Sequence, residues 1–217
     1  MPEALLANVL FDFELSKTTN KTNQLVSVAN FLCRKYNVDL PHAKHVAQLA
    51  ETLFTELKEI LGLADGDLLY LILAGYLHDI GKFISNRSHH KHSEYIINSL
   101  NLFRLTEEDI KIIACIARYH RRSSPLPAHI LYNSLPADKQ ILVQKLSALL
   151  RMANALDSSH KQKIKKFEVK INKKEEVSFV VTTQDNFILE KANFLEKKEL
   201  FEELSGNKAS LIIKGAD

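Results

Sequence analysis

Residues 68–82 read LLYLILAGYLHDIGK. From Leu68 to Tyr76 the stretch is apolar on nearly every side, the pattern of a central buried helix rather than of one with a solvent face. It ends on two side chains able to bind a metal, His78 and Asp79. Burying a carboxylate there costs several kcal/mol unless it is paired, hydrogen-bonded or bound to a cation. A metal answers that cost. A hydrogen-bonded helix terminus is the plainer alternative, and for a His-Asp pair taken alone it is the commoner one.

Outward from this helix the apolar spacing is helical. Between Thr22 and about Tyr36, Leu25, Val28, Ala29, Leu32 and Cys33 recur at three- and four-residue steps. Asn37–Pro41 breaks that face, and Pro41 suits the first turn of a second helix. Val46, Leu49, Ala50, Leu53, Phe54 and Leu57 carry its stripe to about Leu61. His42 therefore stands at the start of a helix. Further helices are predicted over His92–Leu100, Thr106–His120 and Lys139–Leu156, the second with a capping arrangement of Thr106 and Asp109.

After Asp157 the period changes to two. Phe167, Val169 and Ile171 alternate with charged residues, Val177, Phe179 and Val181 repeat the pattern, and Asn172–Glu176 between them is a turn, giving a hairpin. Leu195–Leu204 reads as an amphipathic helix closed by Gly206, and Leu211–Lys214 as a last strand. A boundary near Lys163 thus separates an all-helical part, residues 1–163, from a small α+β subdomain, residues 164–217.

Composition restricts the function classes. Hydrophobic residues make up 46% and charged residues 25%, which suits a globular chain and excludes wholesale disorder. A formal charge of +3 is too small to mark a nucleic-acid binder. Cys33 and Cys115 lie in apolar helical patterns and read as core residues of a reducing compartment. The start, MPEALLANVLFDFELSK, lacks the basic segment and apolar stretch of a signal peptide. No run reaches the roughly 18 apolar residues of a membrane span. A cytoplasmic protein is expected.

Other candidate ligands are dispersed. Asp157 closes the apolar run KLSALLRMANALD, where a carboxylate faces the negative end of the helix dipole; a cation would compensate, and a solvated helix end is equally consistent. His42 and His45 cannot be told apart by spacing. His89, His90, His92 and His120 hold four of the nine histidines. Lys82, Arg87, Lys91, Arg118, Arg121 and Arg122 lie near these ligands, and guanidinium forks suit phosphate oxygens. Lys161–Lys166 lacks such company and reads as a hydrated linker.

Together these segments resemble the HD phosphohydrolase superfamily, whose pattern is a His, a His-Asp pair and a distant Asp, all on helices. HAKHVAQLA is similar to that family's first-histidine segment, with His42 in the ligand position. The closer resemblance is to the carboxyl-terminal half of exopolyphosphatase/guanosine pentaphosphatase (Ppx/GppA) proteins. It is carried by LFTEL, AGYLHDIGKFIS, HHKHSEYIINS, IARYHRR and LLRMANALDSSH, in that order, and covers roughly Leu25 to His160. The tail is similar to that family's small final domain, and EALLANVL to the end of the preceding actin-like phosphatase module. With six Gly in 217 residues and no glycine-rich phosphate loops, the module itself is not present in this sequence.

The resemblance implies a mainly α fold, an HD-domain helical bundle with a small C-terminal α+β subdomain. It implies one or two divalent ions held by His42, His78, Asp79 and Asp157, with His89 and His120 as ligands of a second ion and Asp79 able to bridge. Mixed imidazole and carboxylate ligands suit Mn, Fe, Zn, Co or Ni, and Mg where water and phosphate complete its shell. Asp79, Lys82, Arg118 and Arg121 are then the expected catalytic residues, the three cations neutralising charge on a small phosphorylated substrate. Two rival roles remain open: a regulatory or nucleotide-sensing module partnering a separate actin-like phosphatase half, and a structural domain without catalysis. A homodimer is a further candidate partner.

Overall fold

The computed structural model describes residues 21–121, 124–172 and 176–215. The EALLANVL segment, Arg122 and the centre of the Asn172–Glu176 turn lie outside them. Helix α1 (21–35) buries Leu25, Ala29, Leu32 and Cys33, with Val28 more exposed at the edge of the stripe. Helix α2 (Leu40–Leu61) starts where the Asp39 carboxylate accepts the His42 amide, with Pro41 in its first turn, and ends at Gly62 in the left-handed region. Helix α3 (Leu68–Leu77) is the buried centre, packed against α2, α5 (Glu107–Arg118) and α7 (Ala137–Ala155).

The α2–α3 crossing is unusually close. A Cβ on Gly75 would lie 3.0 Å from the Ala47 Cα, so the two backbones meet where only glycine fits comfortably. That approach brings the first turn of α2 to the end of α3, with the His42 and His78 rings 5.3 Å apart. A short 3-10 turn (Ile80–Phe83) follows Asp79 and leads to α4 (His89–Asn98), which begins three residues before the expected helix. Helix α5 has the anticipated capping box: the Thr106 hydroxyl accepts the Asp109 amide at 3.1 Å, and the Asp109 carboxylate accepts the Thr106 amide at 2.8 Å. The one-turn helix α6 (Ile130–Asn133) was not expected from periodicity, which a single turn is too short to show.

Strands β1 (Lys166–Asn172) and β2 (Glu176–Thr182) pair antiparallel, as the alternation predicts. Strand β3 (Lys208–Lys214) pairs parallel to β2, which is therefore central and buried across Val177–Val181. The crossover consists of two helices, α8 (Ile188–Lys197) and α9 (Glu199–Ser205), rather than the single helix Leu195–Leu204 expected. Phe194 of α8 and Phe201 of α9 both pack on Phe179. Lys198 between them keeps right-handed helical angles, its amide bonding the Phe194 carbonyl and its carbonyl accepting the Glu202 amide, so the two helices meet without a loop. These aromatic residues belong to the same buried cluster as α2, α3, α5 and α7, so the tail shares its core with the helices.

Glu190 fastens this junction. It is fully buried, accepts the Ser159 amide at 3.2 Å and pairs with the Lys163 ammonium at 3.0 Å. Burial works against its ionised form, yet these hydrogen bonds hold its carboxyl below the ordinary value of 4.5. Glu190→Ala is expected to cost about 1 to 3 kcal/mol, because it leaves the Ser159 amide without an acceptor and the Lys163 ammonium with the Asn186 carbonyl alone. A depressed carboxyl contributes stability above its unfolded-state value and loses it as pH falls through the folded one. The deficit of the variant, measured by urea unfolding, should therefore shrink as pH falls below 4.5.

Candidate metal centre

Asp79 stands at the break between α3 and the 3-10 turn, with φ −98° and ψ 2°. The Ser93 hydroxyl of α4 accepts the Gly81 amide at 2.9 Å and donates to the His78 carbonyl at 2.6 Å, locking this turn to the helix that carries His89. The turn is therefore held at both ends, and Asp79 projects among side chains from α2, α3, α4 and the end of α5.

Four imidazoles surround its carboxylate. The Nε2 atoms of His78, His89, His120 and His42 lie 3.5, 3.3, 3.9 and 4.0 Å from an Asp79 oxygen. The opposite nitrogen of each ring is already engaged. Nδ1 of His78 lies 2.7 Å from the Gly75 carbonyl, that of His89 3.0 Å from Asn86, and that of His120 2.6 Å from Ala117. Nδ1 of His42 lies 2.8 Å from an Asp157 oxygen. Since a carbonyl or carboxylate only accepts, each Nδ1 carries the proton and each Nε2 of a neutral ring carries a lone pair.

Four lone pairs therefore converge on an anion. Those of His89 and His120 also face each other, their Nε2 atoms 3.2 Å apart, and the Nε2 atoms of His42 and His78 are buried without a hydrogen-bond partner. Such an arrangement repels itself unless a cation occupies it, and it matches the orientation of histidine in metal sites, where the second nitrogen donates to a backbone or carboxylate oxygen. Ligand atoms of His42, Asp79 and His160 fall within 4.8 Å of one another, as do those of Asp79, His89 and His120. The donor set fits one or two divalent ions sharing Asp79.

The charges agree. Burial pushes the His78 imidazole down to about 4 and drives His120 well below the usual range, with His89 also lowered, so these rings are neutral at physiological pH. Burial disfavours the Asp79 carboxylate, but the Lys82 ammonium beside it favours the ionised form. With His78 and His120 neutral, the full charge that sustains Asp79 is that of Lys82, whose Nζ lies 2.5 Å away.

A cavity of about 430 Å³ opens beside this group. It is lined by Asp79, Lys82, His89, His120 and Arg121, by Arg151, Asn154 and Ser158 from α7 and the residues just after it, and by Asn193, Glu196 and Lys197 of α8. Arg151 is 8% exposed, and its Nε and Nη1 are buried without partners.

A family model described as Ppx/GppA phosphatase, domain III, matches residues 26–204. The chain belongs to this family. It is 32% identical over 151 residues to the guanosine-5'-triphosphate,3'-diphosphate pyrophosphatase of Pseudoalteromonas translucida (strain TAC 125), which is 69% of this chain and 29% of that protein. The protein of the same name from Pseudoalteromonas atlantica (strain T6c / ATCC BAA-1087) is 26% identical over 132 residues, 59% of this chain and 25% of that one. The chain thus spans about three tenths or less of the curated relatives it matches. Among the described residues, no helix is long and apolar enough to cross a membrane.

Within this Ppx/GppA domain III fold, the predicted residues are distributed unevenly. His42, His78, Asp79, Lys82, His89 and His120 meet in one place. Asp157 supports it from outside: one oxygen accepts the Gln162 amide at 2.8 Å, and the other faces His42 and the Gln162 side chain. Arg118 does not reach the cavity. Ending α5 on the other face, its guanidinium pairs with Glu94 and lines a separate depression with Tyr95 and His129. Arg121 takes the cavity position instead.

Sequence reading did not assign His160 or Arg151. His160 stacks on His42 with ring centres 3.6 Å apart and bonds Asp39 at 2.9 Å. For Arg151 a signal existed: a lone arginine in the apolar run KLSALLRMANALD, with Asn154 and Ser158 at helical spacing from it.

Proposed function

We propose that this chain is an HD-type, metal-dependent phosphohydrolase acting on a phosphoester or phosphoanhydride of a small anion, such as a nucleotide or a polyphosphate-like compound. The observation that carries this reading is the convergence of four imidazole lone pairs on the ionised Asp79, which lines a cavity rich in cationic side chains. His42, His78 and Asp79, with His160 beside them, would hold one divalent ion, and Asp79, His89 and His120 a second. Asp157 would serve by fixing the His42 ring. A divalent cation there supplies Lewis acidity toward water and a phosphoryl oxygen. Lys82 and Arg121 bind the phosphoryl group and offset the negative charge that develops on it. The Asn154 amide offers a hydrogen-bond donor that orients the ligand.

The test is hydrolysis by the purified full chain, across nucleoside polyphosphates, polyphosphate and simple phosphomonoesters. Phosphate release should disappear after chelation and return when Mn or Mg is added. A second reading, a nucleotide-sensing module serving a separate phosphatase half, draws support from the short span matched in the much longer relatives. Metal-loaded protein that binds nucleotides but releases no phosphate from any of these compounds would overturn the hydrolase reading and favour the second.

A further inference from the structure

The Arg151 guanidinium has no function within the centre described above. It lies in the buried part of α7, yet two of its nitrogens have no acceptor, and Glu196, Glu199 and Glu203 act on it only through space. A structural arginine at such depth is normally tied by hydrogen bonds, because a buried charge without them is costly. Here the free fork borders the same cavity as Asp79, with Lys82 paired to that carboxylate and Arg121 and Lys197 also among the lining residues. The Glu196 carboxylate is occupied by the adjacent Lys197 ammonium.

We propose that Arg151 anchors a second phosphoryl group of the ligand, so that the cavity is a diphosphate site. The idea rests on the phosphohydrolase reading only for the placement of the first group at Asp79. Planar guanidinium forks bind phosphate oxygens in pairs, which supplies the acceptors that Nε and Nη1 lack. At about 430 Å³ the space lies within the range of small-molecule sites, and four cationic side chains, Lys82, Arg121, Arg151 and Lys197, line it, more than a single phosphoryl group requires. Asn193, which lines the cavity with Asn154, brings a neutral donor from the C-terminal part. The helix α8 is thereby a wall of the ligand site, which gives the tail a role in selecting the ligand without contributing a metal-binding group.

The experiment is calorimetric titration of the full chain, with Mg²⁺ present, using inorganic pyrophosphate, orthophosphate and succinate. Wild type, Arg151→Met and Arg151→Lys are compared. Pyrophosphate should bind the wild type at least about tenfold tighter than orthophosphate, the scale of one charge-assisted contact. Arg151→Met should erase that preference and Arg151→Lys recover part of it, both with unchanged metal content. The melting temperature of Arg151→Met should stay level or rise, since an apolar side chain replaces an unpartnered buried charge.

Retention of the preference in folded Arg151→Met, its absence from wild type, or equal affinity for succinate would overturn the proposal. So would failure of Arg151→Met to fold, which would mark the guanidinium as structural. A wild type that prefers pyrophosphate but hydrolyses nothing would sink the hydrolase reading and leave this one standing.

Discussion

Asp79→Asn is expected to abolish metal binding and any phosphate release, while leaving the metal-free protein at least as stable as wild type. The carboxylate is shared by both groups of ligand atoms, so its loss removes charge and geometry from each. Changes merely adjacent to metal ligands typically cost about 10- to 100-fold in affinity or activity, and a shared ligand should cost more. Stability moves the other way for an electrostatic reason. In the metal-free wild type, imidazole lone pairs face an anion; an asparagine amide would instead donate to two of them. Ions that bind only the folded state raise its melting temperature by mass action. Scanning calorimetry with increasing Mn should therefore shift wild type upward and leave Asp79→Asn unmoved. A variant that retains a metal-dependent shift would remove Asp79 from the centre.

Gly81→Ala should be the most damaging glycine-to-alanine substitution among the described residues. A Cβ there would lie 2.1 Å from the His89 carbonyl oxygen and 2.4 Å from the Ser93 amide nitrogen, both backbone atoms of α4. Helix backbone cannot rotate aside as a side chain can, so α4 must retreat. Overpacking in a core typically costs about 1 to 3 kcal/mol, and a clash with a helix backbone should reach or exceed the upper figure. The retreat also breaks the Ser93 bridge between Gly81 and His78 and withdraws His89 from Asp79. Loss of stability in urea should accompany weakened metal binding. A variant with wild-type stability would show that α4 packs less tightly on this turn than the geometry states.

The parts of this centre differ in how visible they were in the sequence. His78 and Asp79 stand out because an apolar run makes any polar side chain within it expensive. The helices around them follow from three- and four-residue spacing, and the start of α5 from the Thr106 and Asp109 cap. His42 was placed only through resemblance, because a histidine in a first turn looks the same whether it binds a metal or meets water. The α8 wall was not legible at all: Asn193, Glu196 and Lys197 have the composition of any solvated helix face, and only the parallel crossover between β2 and β3 turns that face toward α7. Arg118 and Arg121 differ by three residues in one cationic run, and their opposite destinations depend on how α5 ends, which composition does not encode.

The three contacts from Nδ1 to the carbonyl three residues earlier, at His78, His89 and His120, are each confined to a single turn of chain. Those rings acquire their tautomer and their direction as soon as that turn exists, whatever the remainder of the polypeptide is doing. His42 is different: its orienting partner lies 115 residues away, beyond α7. Three quarters of the imidazole set is thus programmed locally, and the fourth ring acts as a latch that settles only when the end of α7 closes against the start of α2.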